Sequence, residues 1–291
     1  MNGLLVIDKP GGMTSRDAVN HVQRWFPRKT KIGHTGTLDP LATGVLVVCV
    51  GAATRLADYV QAMGKSYASR FRLGASSTSD DADGEVTETP NAMLPTREQI
   101  DAALARFVGS VSQLPPSVSA LKVGGRRAHD LARKGKEVAI APRTVRIDAI
   151  RVLAYAWPWL HVEVDCGKGT YIRSIARDLG EKLGCGGLVQ TLRRTRVGPF
   201  TAEQGMSVET DPVSVKLLPM STAVAGMEQV RLSPDELIRL RQGQRIPMTP
   251  ASGVCQPSEA TELSVLDEQG ELVGICVVEQ GMLKPQLVLA Q

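Results

Sequence analysis

Aromatic residues and closely spaced cysteines are both scarce in this chain of 291 residues. Phe, Trp and Tyr together make up 4% of the sequence, so few rings are available to stack on a planar ligand. The cysteines occur singly, without a CxxC pair, at positions 49, 166, 185, 255 and 276. This spacing argues against a zinc site and against a disulfide framework, and it favours reduced thiols in a cytosolic protein.

Long apolar runs are missing as well. No stretch of the sequence is long enough to span a bilayer as a helix. The first twelve residues, MNGLLVIDKPGG, contain no basic segment followed by a long apolar one, so we expect no signal peptide. These features together predict a cytoplasmic protein that has no membrane association.

The remaining composition is that of a folded protein. Hydrophobic residues make up 43% of the chain and charged residues 22%, values that exclude wholesale disorder. The formal net charge of +4 and the isoelectric point of about 8.8 are compatible with a polyanionic partner. The length suits one large domain followed by a small one.

Periodicity predicts a mixture of strands and helices. Strands are predicted at 3–8, 45–50, 67–73, 144–154 and 159–166, and helices after Thr14 or Ser15, at 53–63, after Thr96 and at 171–183. Because these elements do not follow a strict β-α-β alternation, the pattern predicts an α+β fold.

The composition changes near residues 205–230, which are weakly patterned. Ser233-Pro234 then predicts the start of a short helix that ends at Gly243, and residues 262–267 and 271–278 alternate like strands. We therefore predict a first domain at 1–228 and a small β domain, a barrel or a sandwich, at 229–291.

The segment GHTGTLDPLATG at 33–44 surrounds one carboxylate, Asp39, with turn-forming residues, and the apolar run VLVVCV follows it. Two interpretations are open at this point. Asp39 could be an N-cap, with Pro40 opening a short helical turn and Gly44 ending it. Alternatively, Asp39 is a catalytic carboxylate in a glycine-lined pocket against a buried strand.

A second glycine turn, GKGT at 167–170, joins a predicted strand to the helix 171–183. Gly169 follows Lys168 where a Walker motif needs Ser or Thr, and the upstream glycine is missing, so an NTPase is disfavoured. The backbone N–H groups of the turn and the helix N-terminus can still bind an anion such as an RNA phosphate. The alternative is a turn that merely connects the two elements.

Arg173 lies at the edge of the apolar face of the predicted helix. A partly buried arginine needs a carboxylate partner. Asp39 is one candidate because its own setting is apolar, and Asp178 or Glu181 on the same helix is the alternative.

Basic residues form three clusters, which are Lys122, Arg126, Arg127, Arg133, Lys134 and Lys136; Lys168, Arg173 and Arg177; and Arg193, Arg194 and Arg196. In a chain of only +4 net charge, this segregation favours a nucleic-acid partner over ordinary solvated surfaces. We find neither the paired carboxylates of glycoside hydrolysis nor the nucleophile–base pair of acyl transfer. A lone aspartate that acts on a nucleobase requires that the base leave its stack.

Seven segments of the chain occur in an order that resembles one enzyme family: GLLVIDKPGGMTS (3–15), KIGHTGTLDPLATGVLVV (31–48), KSYASRFRLG (65–74), DDADGEV (80–86), PPSVSALKVGGRRAHDLARKG (115–135), CGKGTYIRSIARDLG (166–180) and LRRTRVGPF (192–200). Together they are similar to the TruB-type tRNA pseudouridine synthases of bacteria, over about residues 3–200. The tail, with LxxGQRIP at 240–247 and a closing LKPQLVL, resembles the small PUA-like RNA-binding domain.

The resemblance implies a catalytic domain with a mixed, largely antiparallel sheet and flanking helices, followed by a PUA-like β domain. It implies isomerisation of uridine to pseudouridine at position 55 in the T-loop of tRNA, by base flipping, without a metal or organic cofactor. We expect the T-arm of tRNA as partner, no obligatory protein partner and a monomer. Two alternatives stay open: a catalytically inactive RNA-binding or RNA-folding protein, and a guide-RNA-dependent synthase that needs partner proteins.

The resemblance also implies roles for individual residues. The essential aspartate of the family falls on Asp39, a tyrosine that stacks on the flipped base on Tyr67, and the arginine partner of the aspartate on Arg173. Other substrate-binding positions match Tyr171 and Lys168 as active-site neighbours, Leu192 as the apolar residue near the target base, and His34 as the residue that fills the space vacated by the base. The route stays open among attack at C6, attack at C1′ and removal of the 2′ proton.

RNA contacts are expected outside the pocket as well. Residues 113–140 match an RNA-gripping insertion of the family, and the basic side chains expected to contact RNA are Lys122, Arg126, Arg127, Arg133, Arg193 and Arg194. The insertion departs from the family at Val118 and His129, where the family usually or often has tyrosine.

Overall fold

The computed structural model describes residues 1–118, 140–248 and 258–289, together with the backbone of 122–123 and 126–127. Within this part of the chain the strands are β1 (Gly3–Lys9), β2 (Ile32–His34), β3 (Thr43–Val50), β4 (Lys65–Leu73), β5 (Ala75–Ser77), β6 (Val86–Glu88), β7 (Gly109–Gln113), β8 (Lys122–Val123), β9 (Arg126–Arg127), β10 (Arg143–Ala156), β11 (Trp159–Cys166), β12 (Gly187–Val197), β13 (Phe200–Thr201), β14 (Gln229–Arg231), β15 (Ile246–Pro247), β16 (Glu262–Leu266), β17 (Leu272–Glu279) and β18 (Met282–Val288). The α-helices are α1 (Ser15–Gln23), α2 (Ala57–Ala62), α3 (Arg97–Leu104), α4 (Ile172–Lys182) and α5 (Pro234–Arg241).

A mixed sheet in the order β1-β3-β12-β4-β11-β10-β7 forms the centre of the fold, with β2 and β13 paired at its side. Its neighbours along this order are antiparallel except β12 and β3, which are parallel. The predicted α+β class and the mixed, largely antiparallel sheet are therefore confirmed.

Local signals explain where the helices begin and end. The Thr14 side chain accepts the N–H of Asp17 while Asp17 bonds back, and Thr96 and Gln99 form a second capping box. Helix α4 ends just before Gly184, whose φ of +68° is a left-handed backbone conformation that favours glycine. The helix predicted at 53–63 is a 3-10 segment, Gly51–Leu56, that continues into α2.

Two predicted details are wrong, and one of the two open interpretations of Asp39 is excluded. The helical spacing of Trp25 and Phe26 predicts that they belong to the helix after Thr14, but they lie beyond α1, which ends at Gln23. Val108, predicted to face inward from the helix after Thr96, follows the helical segment and is 44% exposed. Asp39 starts no helix in the described structure: the Ala42 N–H closes a turn on the Asp39 carbonyl at 3.0 Å, and Gly44 lies inside β3. The N-cap interpretation of Asp39 is therefore excluded.

The C-terminal strands form a separate sheet in the order β14-β16-β17-β18-β15, with α5 packed beside it. Part of this sheet faces the first one. Leu272, Ile275 and Leu289 belong to the same buried cluster as Leu56 and Phe200. Apolar contact thus joins the two sheets. Within the described residues, no helix combines the length and apolarity that a membrane crossing requires.

Candidate active site

The loop at residues 35–42, here called the Asp39 loop, connects β2 to β3 and is anchored by two buried side chains. The Ser15 hydroxyl accepts the Leu38 N–H at 2.8 Å and donates to the Leu38 carbonyl at 3.0 Å. The Lys9 ammonium, 3.3 Å from the Pro40 carbonyl, and the Gly12 N–H, 2.8 Å from it, both donate to that oxygen. These bonds hold the backbone on either side of Asp39.

Lys9 is a fully buried cation. Its ammonium also donates to the carbonyls of Pro10 and Met13, at 2.8 and 2.7 Å. Burial lowers the pKa of the Lys9 ammonium to about 8, and the nearby Asp39 carboxylate opposes that change. The carbonyl cage therefore compensates in part for removing this charge from water.

Arg173 joins two carboxylates. Its Nη2 atom lies 3.0 Å from Oδ2 of Asp39, and its Nη1 atom lies 3.2 Å from Oδ2 of Asp81. The guanidinium also donates to the Ser79 carbonyl at 2.9 Å and to the Val118 carbonyl at 3.1 Å. The predicted pairing of Arg173 with Asp39 is confirmed.

The alternative partner of Arg173 on its own helix serves another arginine. Arg177 lies 2.8 Å from Asp178, and its guanidinium also pairs with Asp80 at 2.8 Å. The contact with Asp80 binds Arg177 to the same acidic segment that supplies Asp81. Asp80 and Asp81, which are adjacent in the sequence, therefore bind two arginines that lie one turn apart on α4.

The Asp39 carboxyl combines partial burial with access. Its side chain is 34% exposed, whereas those of Arg173 and Asp81 are each 5% exposed. Burial raises the pKa of the Asp39 carboxyl, and the charge of Arg173 acts in the opposite direction. A carboxylate of raised pKa is a stronger base than an ordinary aspartate once it is ionised.

A cavity of about 360 Å³ opens beside Asp39. Six residues assigned by resemblance line it: Asp39, Tyr67, Lys168, Tyr171, Arg173 and Leu192. The glycine turn 167–170 also lines the cavity, although the N–H of Gly167 is donated to the Arg146 carbonyl at 2.8 Å. His34 is not part of the lining; it lies on β2, opposite Val48 of β3.

Two tyrosines form the aromatic part of the cavity. Burial raises the pKa of the Tyr67 phenol, and the Arg194 guanidinium opposes that rise by its charge and a hydrogen bond. Tyr171 precedes α4, and the Gln113 side chain fixes its backbone with bonds of 2.8 Å to the N–H and 3.0 Å to the carbonyl. The ring of Tyr171 therefore starts from a fixed backbone position.

The residues expected to contact RNA have different locations. Arg193 forms a two-point ion pair with Asp8, at 2.9 and 2.8 Å. Arg194 is only 3% exposed and donates to backbone carbonyls, but it also borders the cavity beside Asp39. The side chains of Lys122, Arg126 and Arg127, and the whole of Arg133, lie outside the described residues.

Sequence reasoning missed three residues of the site. The segment 75–90 is acidic and turn-forming in sequence, yet Asp81 within it is 3% exposed and bound to Arg173. Ser15 is a candidate helix cap, and Lys9 directly precedes the strand-breaking residues 10–12. The DDADGEV and KPGGMTS motifs drew attention to these segments, but no local pattern predicts contacts over such sequence separations. Among the described residues, no group of His, Cys, Asp or Glu is arranged to hold a metal ion.

Family models match nearly the whole chain. The model described as TruB family pseudouridylate synthase, N-terminal domain, matches residues 24–172. The tRNA pseudouridylate synthase B C-terminal domain matches 173–224, and the C-terminal model of pseudouridine synthase II TruB matches 229–289. The chain belongs to the TruB family of pseudouridylate synthases.

Individual relatives extend over the full length of this TruB-family chain. A tRNA pseudouridine synthase B from Cereibacter sphaeroides is 43% identical over 297 residues, covering 99% of this chain and 96% of that protein. One from an Arthrobacter species is 41% identical over 298 residues, covering 100% and 97%. A chain in the solved structure of an H/ACA ribonucleoprotein bound to a substrate RNA containing 2′-deoxyuridine has a TM-score of 0.73 over 99% of this chain and 85% of that chain. At 20% identity, this last likeness shows the fold alone.

Proposed function

We propose that this TruB-family chain isomerises uridine to pseudouridine in tRNA, at position 55 of the T-loop, with Asp39 as the catalytic residue. The observation that carries the assignment of Asp39 is its position in the cavity, where its accessible carboxylate is held by the buried Arg173. The reaction and the tRNA substrate are supported by relatives of nearly equal length that are named tRNA pseudouridine synthase B.

The chemistry suits a cavity with one accessible carboxylate. Isomerisation breaks the bond between N1 of uracil and C1′, turns the uracil and forms a bond from C5 to C1′; C5 then loses its proton, and the freed N1 gains one. Asp39 serves this sequence as a nucleophile at C6 or C1′, or as the base that removes the 2′ proton. The three routes share one requirement: an ionised carboxylate beside the ribose and base.

A flipped uridine fits the site that Asp39 faces. The cavity volume of about 360 Å³ is enough for one nucleobase and its ribose, and a base enters such a pocket by leaving its stack. We assign stacking on the base to Tyr67, apolar contact to Leu192, and further substrate contacts as active-site neighbours to Lys168 and Tyr171. His34 fills the space that the base leaves in the RNA.

RNA binding outside the cavity completes the proposal. We assign the grip on the T-arm to Lys122, Arg126, Arg127 and Arg133 in the insertion 113–140, and to Arg193 on β12. The chain divides into a catalytic domain at 1–228 and a PUA-like RNA-binding domain at 229–291. It works as a monomer without an obligatory protein partner.

The test is to incubate the purified protein alone with unmodified tRNA transcript and to map pseudouridine. We expect modification at position 55 only, and we expect an isolated T-stem-loop to suffice because proteins read unpaired RNA loops by shape and stacking. Binding without modification would support the inactive RNA-binding alternative. Modification that appears only with added guide RNA and partner proteins would support the guide-dependent alternative.

The grip is tested separately by changing Arg126, Arg127 and Arg133 together to glutamine. We expect weaker tRNA binding, with the slope of log K against log salt reduced by about one for each phosphate that the variant no longer neutralises. An unchanged slope in the triple variant would show that another surface holds the RNA.

A further inference from the structure

Arg194 lies between the two strands that carry the candidate catalytic groups. On one side of β12 it is in register with Tyr67 of β4, and on the other side with Gly44 of β3, which follows the Asp39 loop. Arg194 is therefore paired both with β4, which carries Tyr67, and with β3, which begins where the Asp39 loop ends.

The guanidinium of Arg194 is directed into this junction. Its Nε atom donates to the Val45 carbonyl at 2.7 Å. Its two terminal nitrogens donate to the carbonyls of Thr37 and Gly36, at 3.4 and 3.2 Å. The Tyr67 phenol borders the same cavity as this guanidinium, whose charge opposes the rise that burial causes in the Tyr67 pKa. One side chain thus contacts both the start of the Asp39 loop and the strand that follows it.

The backbone of Arg194 is fitted as closely as its side chain. Gly44 has a φ of +98°, and a Cβ atom at this position would lie 2.2 Å from the Arg194 carbonyl oxygen. Only glycine allows β3 to approach β12 this closely. The final glycine of the 33–44 motif is therefore required by contact with Arg194, in addition to any approach of substrate.

The donors of Arg194 are already engaged. The side chain is 3% exposed although it borders the cavity, and each of its three nitrogens donates to a protein carbonyl. A guanidinium can serve several acceptors in fixed directions because it is planar and forked, whereas a lysine ammonium is a compact charge on a flexible stem. The chemistry of the site thus requires arginine at 194, and a positive charge alone does not satisfy it.

We propose that Arg194 is a positioning residue, which holds the Asp39 loop and the Tyr67 phenol in one arrangement and does not contact the RNA phosphates. The proposal rests on the proposed function, because it assumes that Asp39 and Tyr67 act on the flipped uridine. A misplacement of about 1 Å in reacting groups can lower a rate about 100-fold, so loss of the fork should affect the rate and not the affinity.

The experiment compares Arg194→Lys with the wild type in single-turnover assays at saturating protein, together with tRNA affinity at several salt concentrations. We expect the rate to fall about 10- to 100-fold, while the affinity and its salt slope stay close to wild type. The variant should fold with a lower melting temperature, because lysine leaves buried carbonyls without their donors. Arg97→Lys is the matched control, since Arg97 is an exposed helix residue paired with Asp101; it should keep the full rate.

A double variant tests the link to the phenol. If Arg194 acts partly through the Tyr67 hydroxyl, adding Tyr67→Phe to Arg194→Lys should lower the rate by less than the product of the two single effects. Strictly multiplicative effects would remove Tyr67 from the proposal.

Three further outcomes would overturn the proposal as a whole. One is a full rate in Arg194→Lys. Another is weakened binding with a salt slope reduced by about one in Arg194→Gln, which marks a phosphate contact. The third is loss of folding in both variants, which would make Arg194 a core structural residue. An inactive wild type would instead contradict the proposed function and is recognised before any variant is compared.

Discussion

Asp39 shares its arginine partner with a second carboxylate: Arg173 lies 3.0 Å from Oδ2 of Asp39, and the same guanidinium pairs with Asp81 at 3.2 Å. Arg173 is buried, and without any carboxylate it would be strongly destabilising. Because Asp81 remains when Asp39 is changed, the structure separates the catalytic contribution of Asp39 from its contribution to stability.

Asp39→Asn should abolish pseudouridine formation. An amide is neither a competent nucleophile nor a base at this centre. We expect the free energy of unfolding to fall by less than about 2 kcal/mol, because Arg173 keeps Asp81 and two carbonyl acceptors. Single-turnover assays, thermal melts and tRNA binding check this prediction on one preparation. Substantial activity in the folded variant would assign catalysis to another residue.

Asp81→Asn should destabilise the protein more than Asp39→Asn. The Asp81 side chain is 5% exposed, compared with 34% for Asp39, and it also accepts a bond from Ser79 at 2.5 Å. We expect the free energy of unfolding to fall by about 1.5–3 kcal/mol. The single-turnover rate should also fall, because Arg173 is held less firmly. Equal melting temperatures for Asp39→Asn and Asp81→Asn would show that the burial of a carboxylate does not determine how much it contributes to stability.

Ser15→Ala should weaken both the fold and the reaction. Removing the hydroxyl leaves the Leu38 N–H and carbonyl without their side-chain partner inside the protein, at a cost of about 1–3 kcal/mol. The freed Asp39 loop should then lower the turnover rate. Ser214→Ala is the matched control, since the exposed Ser214 hydroxyl makes a single 2.8 Å bond to the Asp211 carbonyl. A full rate in Ser15→Ala would show that the remaining anchors suffice.

The rate should fall on acidification at a pH above the ordinary aspartate value of 3.8, because burial raises the pKa of the Asp39 carboxyl and the reaction needs the ionised form. The same shift has a defined effect on stability. A raised pKa in the folded state makes ionised Asp39 destabilising, an effect that is absent below the ordinary pKa and complete above the raised one.

The pH dependence is measured by single-turnover rates and by the unfolding free energy of wild type and Asp39→Asn. The difference in stability between them should change in favour of the variant as pH rises through this window. An acid limb of the rate profile at or below the ordinary value would contradict the prediction.

Removing residues 229–291 should destabilise the first 228 residues, because the tail covers part of their apolar surface. Ile275 is fully buried in the cluster that also contains Leu56 and Phe200. A milder test is Ile275→Ala. We expect its free energy of unfolding to fall by about 2–5 kcal/mol and the protein to unfold in a single transition. Two separate transitions, with only the later residues affected, would show that the units unfold independently.

Many elements of the fold could be predicted from near neighbours in the chain. The apolar run at 45–50 became β3, and Thr14 and Thr96 begin helices through capping boxes that span three residues. Such signals are local, so they survive without knowledge of the rest of the molecule. Helix ends are harder to predict from the sequence. The helical spacing of apolar residues continues to Trp25, but α1 ends at Gln23.

The site was predictable where a motif or a physical need identified a residue. Burial of Arg173 called for a carboxylate, and Asp39 is bound to it at 3.0 Å. The same reasoning did not find Asp81, and charge clustering did not predict that Arg194 is 3% exposed and bonded to backbone carbonyls at the edge of the cavity. Charge in a sequence does not reveal whether a side chain points to solvent or to protein carbonyls.

The sequence by itself thus determined the fold class, the helix caps, the family resemblance and the identity of Asp39 as the residue to test. Only the tertiary structure decided which side chains hold it: Ser15 at the loop backbone, Asp81 across Arg173, and Arg194 between β3 and β4. The physical reason is distance along the chain. Strand register and helix packing bring these residues together, and both depend on the whole sheet being formed.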